Sequence, residues 1–248
     1  MTTTIILGDG GLGRAVQTAL LAREGPGGRA EVRLRGRPRT GRHAPLDFAG
    51  ADLIVEASRA DAVVGNLASG LEAGARRVVI ATTGWQADRP RVETLLTEYG
   101  AAAVAASNFS LGVVLFGRLV EAAVTLFGPL EAFDPFLLEW HRRAKRDRPS
   151  GTAIDLRRRI VTGHPRLADV DDLEVVSVRA GSSPGMHLVG FDAAGETVEL
   201  RLTARDRSAY AAGILAAADW LARTPREAGL HAFDPIVDEL VARDPVAA

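Results

Sequence analysis

The sequence predicts an α/β fold: a doubly wound parallel sheet, then a second α+β domain containing a mixed sheet. Three observations carry this. A β-rich run at the N-terminus enters a glycine turn and then a helical pattern. Strand-like and helical runs then alternate as far as residue 107. Beyond a long apolar helix, three strands between residues 173 and 203 follow one another with only glycine-bearing turns between them.

The first run is Thr2 to Leu7. It enters G-D-G-G-L-G at Gly8 to Gly13, and a helix follows from Arg14 to Arg23 with Val16, Ala19 and Leu20 on one face. In Gly8-x-Gly10-x-x-Gly13 the first glycine permits the tight turn. The second lets a pyrophosphate approach the backbone, and the third lets helix and strand pack. The strand–turn–helix setting makes this a dinucleotide site; the alternative is a glycine turn that binds nothing. Glu31 to Leu34 reads as the second strand. A site specific for NAD wants an acidic residue after it, but the chain offers Arg35, Arg37 and Arg39, whose guanidinium groups suit a 2′-phosphate. NADPH is the expected cofactor and NADH is possible.

Asp52 to Ala57, Arg77 to Ala81 and Ala101 to Ala106 are further buried strands, with helices over Asp61 to Ala73 and Pro90 to Tyr99. Ligands in such sheets sit beyond the carboxyl ends of the strands. The polar residues there are Ser58, Thr82, Thr83, Ser107 and Asn108, although hydroxyls also cap helices. Leu111 to Phe127 is the long apolar helix. Pro135 to Glu139 reads as a strand, and Ala153 to Val161 as a helix with Arg157 to Arg159 outward. Leu173 to Arg179, Gly185 to Asp192 and Thr197 to Thr203 are strands, Ser208 to Leu221 is an apolar helix, and I-V-D-E-L-V is a last helical stretch.

Between the strand and helix of the second domain lies E-W-H-R-R-A-K-R-D-R-P-S-G-T-A, Glu139 to Ala153. His141 and Lys145 are four residues apart, so a helix or compact turn puts them on one side. His141 is the side chain that titrates near neutral pH, and Lys145 can hold it neutral or lend a proton. Gly151 and Thr152 offer backbone N–H groups, with hydroxyls at Ser150 and Thr152. A helix starting there attracts an anion. The pattern fits a site for a small carboxylate; the plain alternative is a solvated basic helix.

Composition excludes much else. The 248 residues carry a net charge of −1 and no cysteine, so disulfides, zinc–thiolate sites and thiol nucleophiles are ruled out, and a reducing cytoplasm is the expected location. Charge supports no nucleic-acid partner, and no apolar stretch supports a membrane one. No pair of histidines or carboxylates has metal-ligand spacing. His187 reads as a sheet-face residue, and His43, His164 and His231 as loop residues without a partner.

Four stretches together resemble the 4-hydroxy-tetrahydrodipicolinate (dihydrodipicolinate) reductases of bacterial lysine biosynthesis. They are the glycine turn, Ala81-Thr82-Thr83-Gly84-Trp85, Ser107-Asn108-Phe109-Ser110-Leu111-Gly112, and Glu139-Trp140-His141 through Lys145 to Asp147-x-Pro149-Ser150-Gly151-Thr152-Ala153. The resemblance implies a Rossmann-like dinucleotide-binding domain over 1–107, to which helices in 208–248 return. It implies a substrate-binding and oligomerisation domain over 108–207, at the core of a homotetramer. The implied reaction is reduction by NAD(P)H of a cyclic dicarboxylate with an unsaturated carbon–nitrogen system.

Carried over by residue, His141 and Lys145 match the acid/base pair, and Ser150, Gly151 and Thr152 a carboxylate cradle. Gly8, Asp9, Gly10, Gly11, Leu12, Gly13, Ala81, Thr82, Thr83, Ser107, Asn108 and Phe109 match cofactor contacts. The chain departs from the family where Arg142 replaces a second histidine, Glu56-Ala57-Ser58-Arg59-Ala60 replaces the pattern after the middle strand, and the glycine turn is one residue shorter. Arg142 can still bind a carboxylate bidentately, but it opens the alternative of a paralogous reductase of another imino or keto acid. A non-catalytic NADP-binding sensor is the third reading.

Overall fold

The computed structural model describes residues 2–24, 31–36 and 43–243. The chain forms two compact units, one of Met1–Leu111 with Arg207–Ala248 and the other of Gly112–Asp206.

The first unit is built on β1 (Thr3–Leu7), α1 (Gly11–Glu24), β2 (Glu31–Arg35), β3 (Leu53–Glu56), α2 (Val63–Glu72), β4 (Arg77–Ile80), α3 (Arg89–Glu98) and β5 (Ala102–Ala105). The long helix α4 (Leu111–Phe127) leads out of it. Its sheet is parallel throughout, in the order β10-β5-β4-β3-β1-β2, with β10 contributed from the C-terminal part of the chain. All of β1 is buried, as a strand covered by helices on both faces must be. Ile5, Leu7, Ile54, Val78 and Ile80 pack with Leu67, Leu71, Val92 and Leu96 in one core. Strand order reverses at β1, which has β2 on one side and β3 on the other, so the loops after these strands diverge and leave a crevice.

The second unit contains β6 (Asp134–His141), α5 (Gly151–Gly163), β7 (Val175–Arg179), β8 (Gly185–Ala193) and β9 (Glu196–Ala204). The order is β7-β6-β8-β9; β6 and β7 are parallel and the other pairs antiparallel, so the sheet is mixed. One face packs on Phe116, Val120, Val124, Leu156 and Ile160 from the helices, through Leu137, Val189 and Phe191. On β6 and β7, alternate residues point away from this core, and Trp140, Val176 and Val178 are exposed there. The chain then runs through α6 (Ser208–Arg223), β10 (Gly229–Ala232) and α7 (Asp234–Arg243). No described helix is long and apolar enough to cross a membrane.

The structure corrects the sequence at several elements. His231 lies in β10, a four-residue edge strand whose G-L-H-A is too short and too weakly apolar to announce itself. Arg35 is the last residue of β2 rather than the first after it. Helix α5 starts at Gly151, because Ser150 caps it by accepting from the Ala153 N–H at 3.2 Å. Of the three arginines expected outward, Arg158 is exposed. Arg159 lies mostly buried, with contacts of 2.5 Å to Glu121 and 2.6 Å to Asp155.

Phe191 is fully buried and stacks on Phe127 with ring centroids 5.0 Å apart. Phe191→Ala therefore loses about 3–5 kcal/mol of stability, measurable as a lower urea midpoint.

Candidate active site

The glycine turn shows why each glycine is there. Gly8 has φ +103°, and a Cβ on it would overlap the Ala57 carbonyl oxygen. A Cβ on Gly13 would overlap the Gly8 carbonyl oxygen, so the first turn of α1 lies directly on the loop. A Cβ on Gly10 would meet nothing within 4 Å, which leaves that side of the backbone open to a ligand. The Arg207 guanidinium lies over Gly11 and adds a cation to the positive end of the helix dipole. A crevice of about 240 Å³ opens here, lined by Gly8, Asp9, Gly10, Gly36, His43, Ala57, Ser58, Arg59, Asp61, Ala62 and Asn66. An open backbone, a cationic helix start and a position at the strand-order reversal fit the pyrophosphate of a dinucleotide.

Of the sequence-predicted contacts, Gly8, Asp9, Gly10 and Ser58 line this crevice. Leu12 and Gly13 turn into the fold beneath it, and Arg35 is not on its described wall. Arg37 and Arg39 lie outside the described residues. Ala81 and Thr82 donate their N–H groups to the Glu56 carbonyl at 2.8 and 3.0 Å, and Thr83 is exposed. Ser107 lines a different, smaller hollow with Trp85, Arg89 and His231. Asn108 accepts from the Ser110 N–H at 2.8 Å, and Phe109 is buried against Phe233. His43, read as partnerless, meets Phe48 edge-on and lies 3.6 Å from Asp47.

Glu56 was missed by sequence reasoning, although a carboxylate inside the apolar run L-I-V-E-A was a visible signal. It is fully buried and accepts from the Ser58 N–H at 2.9 Å, the Ser58 hydroxyl, Asn66 at 2.8 Å and Thr82 at 3.2 Å. Burial pushes its pKa up, against these neutral donors. The carboxyl ties the ends of β3 and β4 and the helix α2 together beneath the crevice.

The second cluster is in the other unit. Strand β6 runs on to His141, and residues 142–150 form a compact turn in which the Lys145 N–H donates to the Arg142 carbonyl at 3.1 Å. The helical alternative for the basic stretch is thereby excluded. Strand pleating puts Glu139 and His141 on the same buried face. Register sets Ser177 of β7 and His187 of β8 on either side of Glu139, and Arg179 beside His141. Glu139 Oε1 accepts from the Ser150 N–H at 3.0 Å, the Ser177 hydroxyl at 2.6 Å and Arg179 Nη2 at 2.6 Å. Its Oε2 faces His141 Nδ1 at 3.2 Å and His187 Nε2 at 3.8 Å. His187 Nε2 also meets the Ser150 hydroxyl at 3.2 Å. The sheet-face histidine thus belongs to the cluster. Its signal in the sequence was period-two alternation, which tells the face but not the neighbour.

Burial alone would raise the Glu139 pKa; the hydrogen bonds from Ser150, Ser177 and Arg179 outweigh it and hold the group at about 2. Burial, opposed by Glu139 and aided by Lys145 and Arg179, lowers the His141 pKa. Burial and the neighbouring His141 bring His187 down to about 4. At neutral pH the cluster therefore holds an ionised carboxylate and two neutral imidazoles. Glu139, His141 and His187 also place three potential metal donors within 4.8 Å of one another. Arg179 already supplies the cation that the carboxylate faces. Lys145 pairs with Asp147 at 2.8 Å, Arg142 is exposed, and Gly151 and Thr152 form the first turn of α5. His164 is buried and its Nδ1 accepts from the Arg166 N–H at 3.3 Å, away from the cluster.

The family described as "Dihydrodipicolinate reductase, C-terminus" matches residues 112–234. A 4-hydroxy-tetrahydrodipicolinate reductase of Archaeoglobus fulgidus is 32% identical over 203 residues, 76% of either chain. One of Sulfurimonas denitrificans is 33% identical over 176 residues, covering 65% of this chain and 67% of its own. Among solved structures, a dipicolinate-bound dihydrodipicolinate reductase from Paenisporosarcina sp. TG-14 shares the fold at 19% identity. Its TM-score is 0.66 over 94% of this chain and 97% of that one.

Two predictions follow from the buried acids and histidines. Glu56→Ala removes the acceptor of Ser58, Asn66 and Thr82 and melts about 5 °C or more below the parent, whereas Glu56→Gln keeps the side chain's volume and one acceptor oxygen and melts between the two. His187 takes up a proton at about 4 when folded, against 6.5 when unfolded. The unfolded state thus binds more protons in between, and stability falls by about 3 kcal/mol as the pH drops through that window. His187→Gln flattens this slope in urea titrations, and the remaining acid loss begins below about pH 4.5, where Glu139 protonates on unfolding.

Proposed function

We propose that this chain, which belongs to the 4-hydroxy-tetrahydrodipicolinate (dihydrodipicolinate) reductase family and is an oxidoreductase, reduces 4-hydroxy-tetrahydrodipicolinate to tetrahydrodipicolinate in lysine biosynthesis. The observation that carries this reading is the buried Glu139, which holds a neutral His141 beside the N-terminus of α5. The first unit is the dinucleotide-binding domain and the second the substrate-binding one; the site of action is the cytoplasm.

A nicotinamide dinucleotide, when bound, supplies the hydride. Its pyrophosphate would lie on Gly8 to Gly13 near Arg207, with Ser58, Ala81 to Thr83 and Ser107 to Phe109 serving the remainder. By sequence, Arg37 and Arg39 would favour NADPH, while the acidic Asp9 on the crevice wall favours NADH, so both forms are carried into the test.

The substrate is a dianion, and the residues around α5 answer its charge. The N–H groups of Gly151 and Thr152 receive one carboxylate, aided by the helix dipole. Arg142 and Lys145 take the other. Glu139 Oε2 lies 3.2 Å from Nδ1 and can only accept, so its charge favours the His141 tautomer with the proton on Nδ1 and a lone pair at Nε2. Gly185 keeps that side clear, since a Cβ there would sit 3.0 Å from Nε2. Hydride addition and departure of the 4-hydroxyl as water together consume one proton; the Lys145 ammonium gives it up, and the neutral Nε2 of His141 can relay its replacement from solvent. Arg142 favours one second reading, a paralogue acting on another imino or keto acid, because its reach differs from that of histidine.

The test is oxidation of NADPH or NADH with substrate generated in place from pyruvate and aspartate semialdehyde by the preceding enzyme. Turnover that falls about 100-fold or more in Lys145→Ala and His141→Ala supports the assignment. Full turnover in Lys145→Ala would refute it, and no turnover on this substrate alone moves the reading to the paralogue. The apolar face that exposes Trp140, Val176 and Val178 suits a second copy of the chain in a homo-oligomer, tetrameric by resemblance. The pair Val176→Glu and Val178→Glu then yields smaller particles than the parent in light scattering.

A further inference from the structure

We infer that Asp9 reads the 2′ position of the dinucleotide's adenosine ribose, accepting from a 2′-hydroxyl and repelling a 2′-phosphate. The inference rests on the crevice of the first unit being the cofactor site. In such crevices the 2′ position is met at the end of the second strand, normally by an acidic side chain on that strand. Here the residue following β2 is Gly36, which has no side chain to offer.

The carboxylate comes instead from the first turn. A methyl group at Gly36 would lie 3.3 and 3.7 Å from Asp9 Oδ2 and Oδ1, so Asp9 fills the space that a residue-36 side chain would occupy. The backbone around it is tied down. The Gly8 N–H donates to the Arg35 carbonyl at 2.7 Å, which pins the turn to β2, and Arg14 Nε donates to the Asp9 carbonyl at 2.8 Å. Both Asp9 and Gly36 line the crevice, while the Arg35 guanidinium is not on its described wall. The arginine that is, Arg59, is engaged bidentately by Asp61 at 2.7 and 2.9 Å. Two negative charges on a 2′-phosphate would thus meet a carboxylate at this spot, whereas a hydroxyl would find an acceptor.

The measurement is a titration of NADH and of NADPH into the protein without substrate, followed by nicotinamide fluorescence, for the parent chain and for Asp9→Asn and Asp9→Ser. Both substitutions are at an exposed position and leave the glycines intact. The expected result is tighter NADPH and weaker NADH, so that the ratio Kd(NADPH)/Kd(NADH) falls about tenfold in each variant. A ratio that stays put, or two constants that move by the same factor, overturns the role of Asp9 while leaving the cofactor site in place. A parent chain that binds neither nucleotide overturns the cofactor reading, and the inference with it.

Discussion

The buried polar cluster of the second unit hangs on the charge of Glu139. An ionised carboxylate with no solvent exposure is costly unless donors surround it. Register supplies two of them from β7, Ser177 and Arg179, and the turn after β6 supplies the Ser150 N–H. Because Ser150 also caps α5 and touches His187, the carboxylate fixes the anion-attracting end of the helix and the orientation of His141 together. Disturbing the acid would therefore disturb the histidine pair and the start of α5 at once.

The first unit holds its own buried acid, and the contrast with Glu139 is physical. Glu56 is surrounded by a hydroxyl pair, an amide and a backbone N–H, all neutral, and burial drives it toward the protonated form. Glu139 has a guanidinium at 2.6 Å, and burial loses to it and the hydroxyls. One acid is structural glue under the crevice; the other is a permanent charge that keeps imidazoles aligned. The neighbour, not the residue type, decides which.

The glycine turn works by exclusion in the same spirit. Gly8 and Gly13 are where they are because any side chain would strike backbone carbonyls, and Gly36 leaves a gap into which Asp9 reaches. Close approach between loop, strand and helix thus shapes the crevice before any ligand enters it. In the second unit Gly185 does the equivalent for the open side of His141.

What could be read in the sequence was whatever depends on local periodicity. The strand–turn–helix start, the alternation of strands and helices, the mixed strand run and the basic turn after β6 were all legible. The Pro-Ser-Gly-Thr turn was legible too, since capping preferences act over three or four residues. The edge strand β10 was not, because four weakly apolar residues become a strand only when β5 offers its free edge. The partners of His141 lay equally out of reach: Ser177, Arg179 and His187 are 36 to 46 residues away along the chain and meet it only through strand register. By itself the sequence determined the fold class and the basic turn between β6 and α5. Only the tertiary structure decided which buried groups are charged and which side chain occupies the end of β2, because desolvation and long-range contacts exist only once the strands are paired.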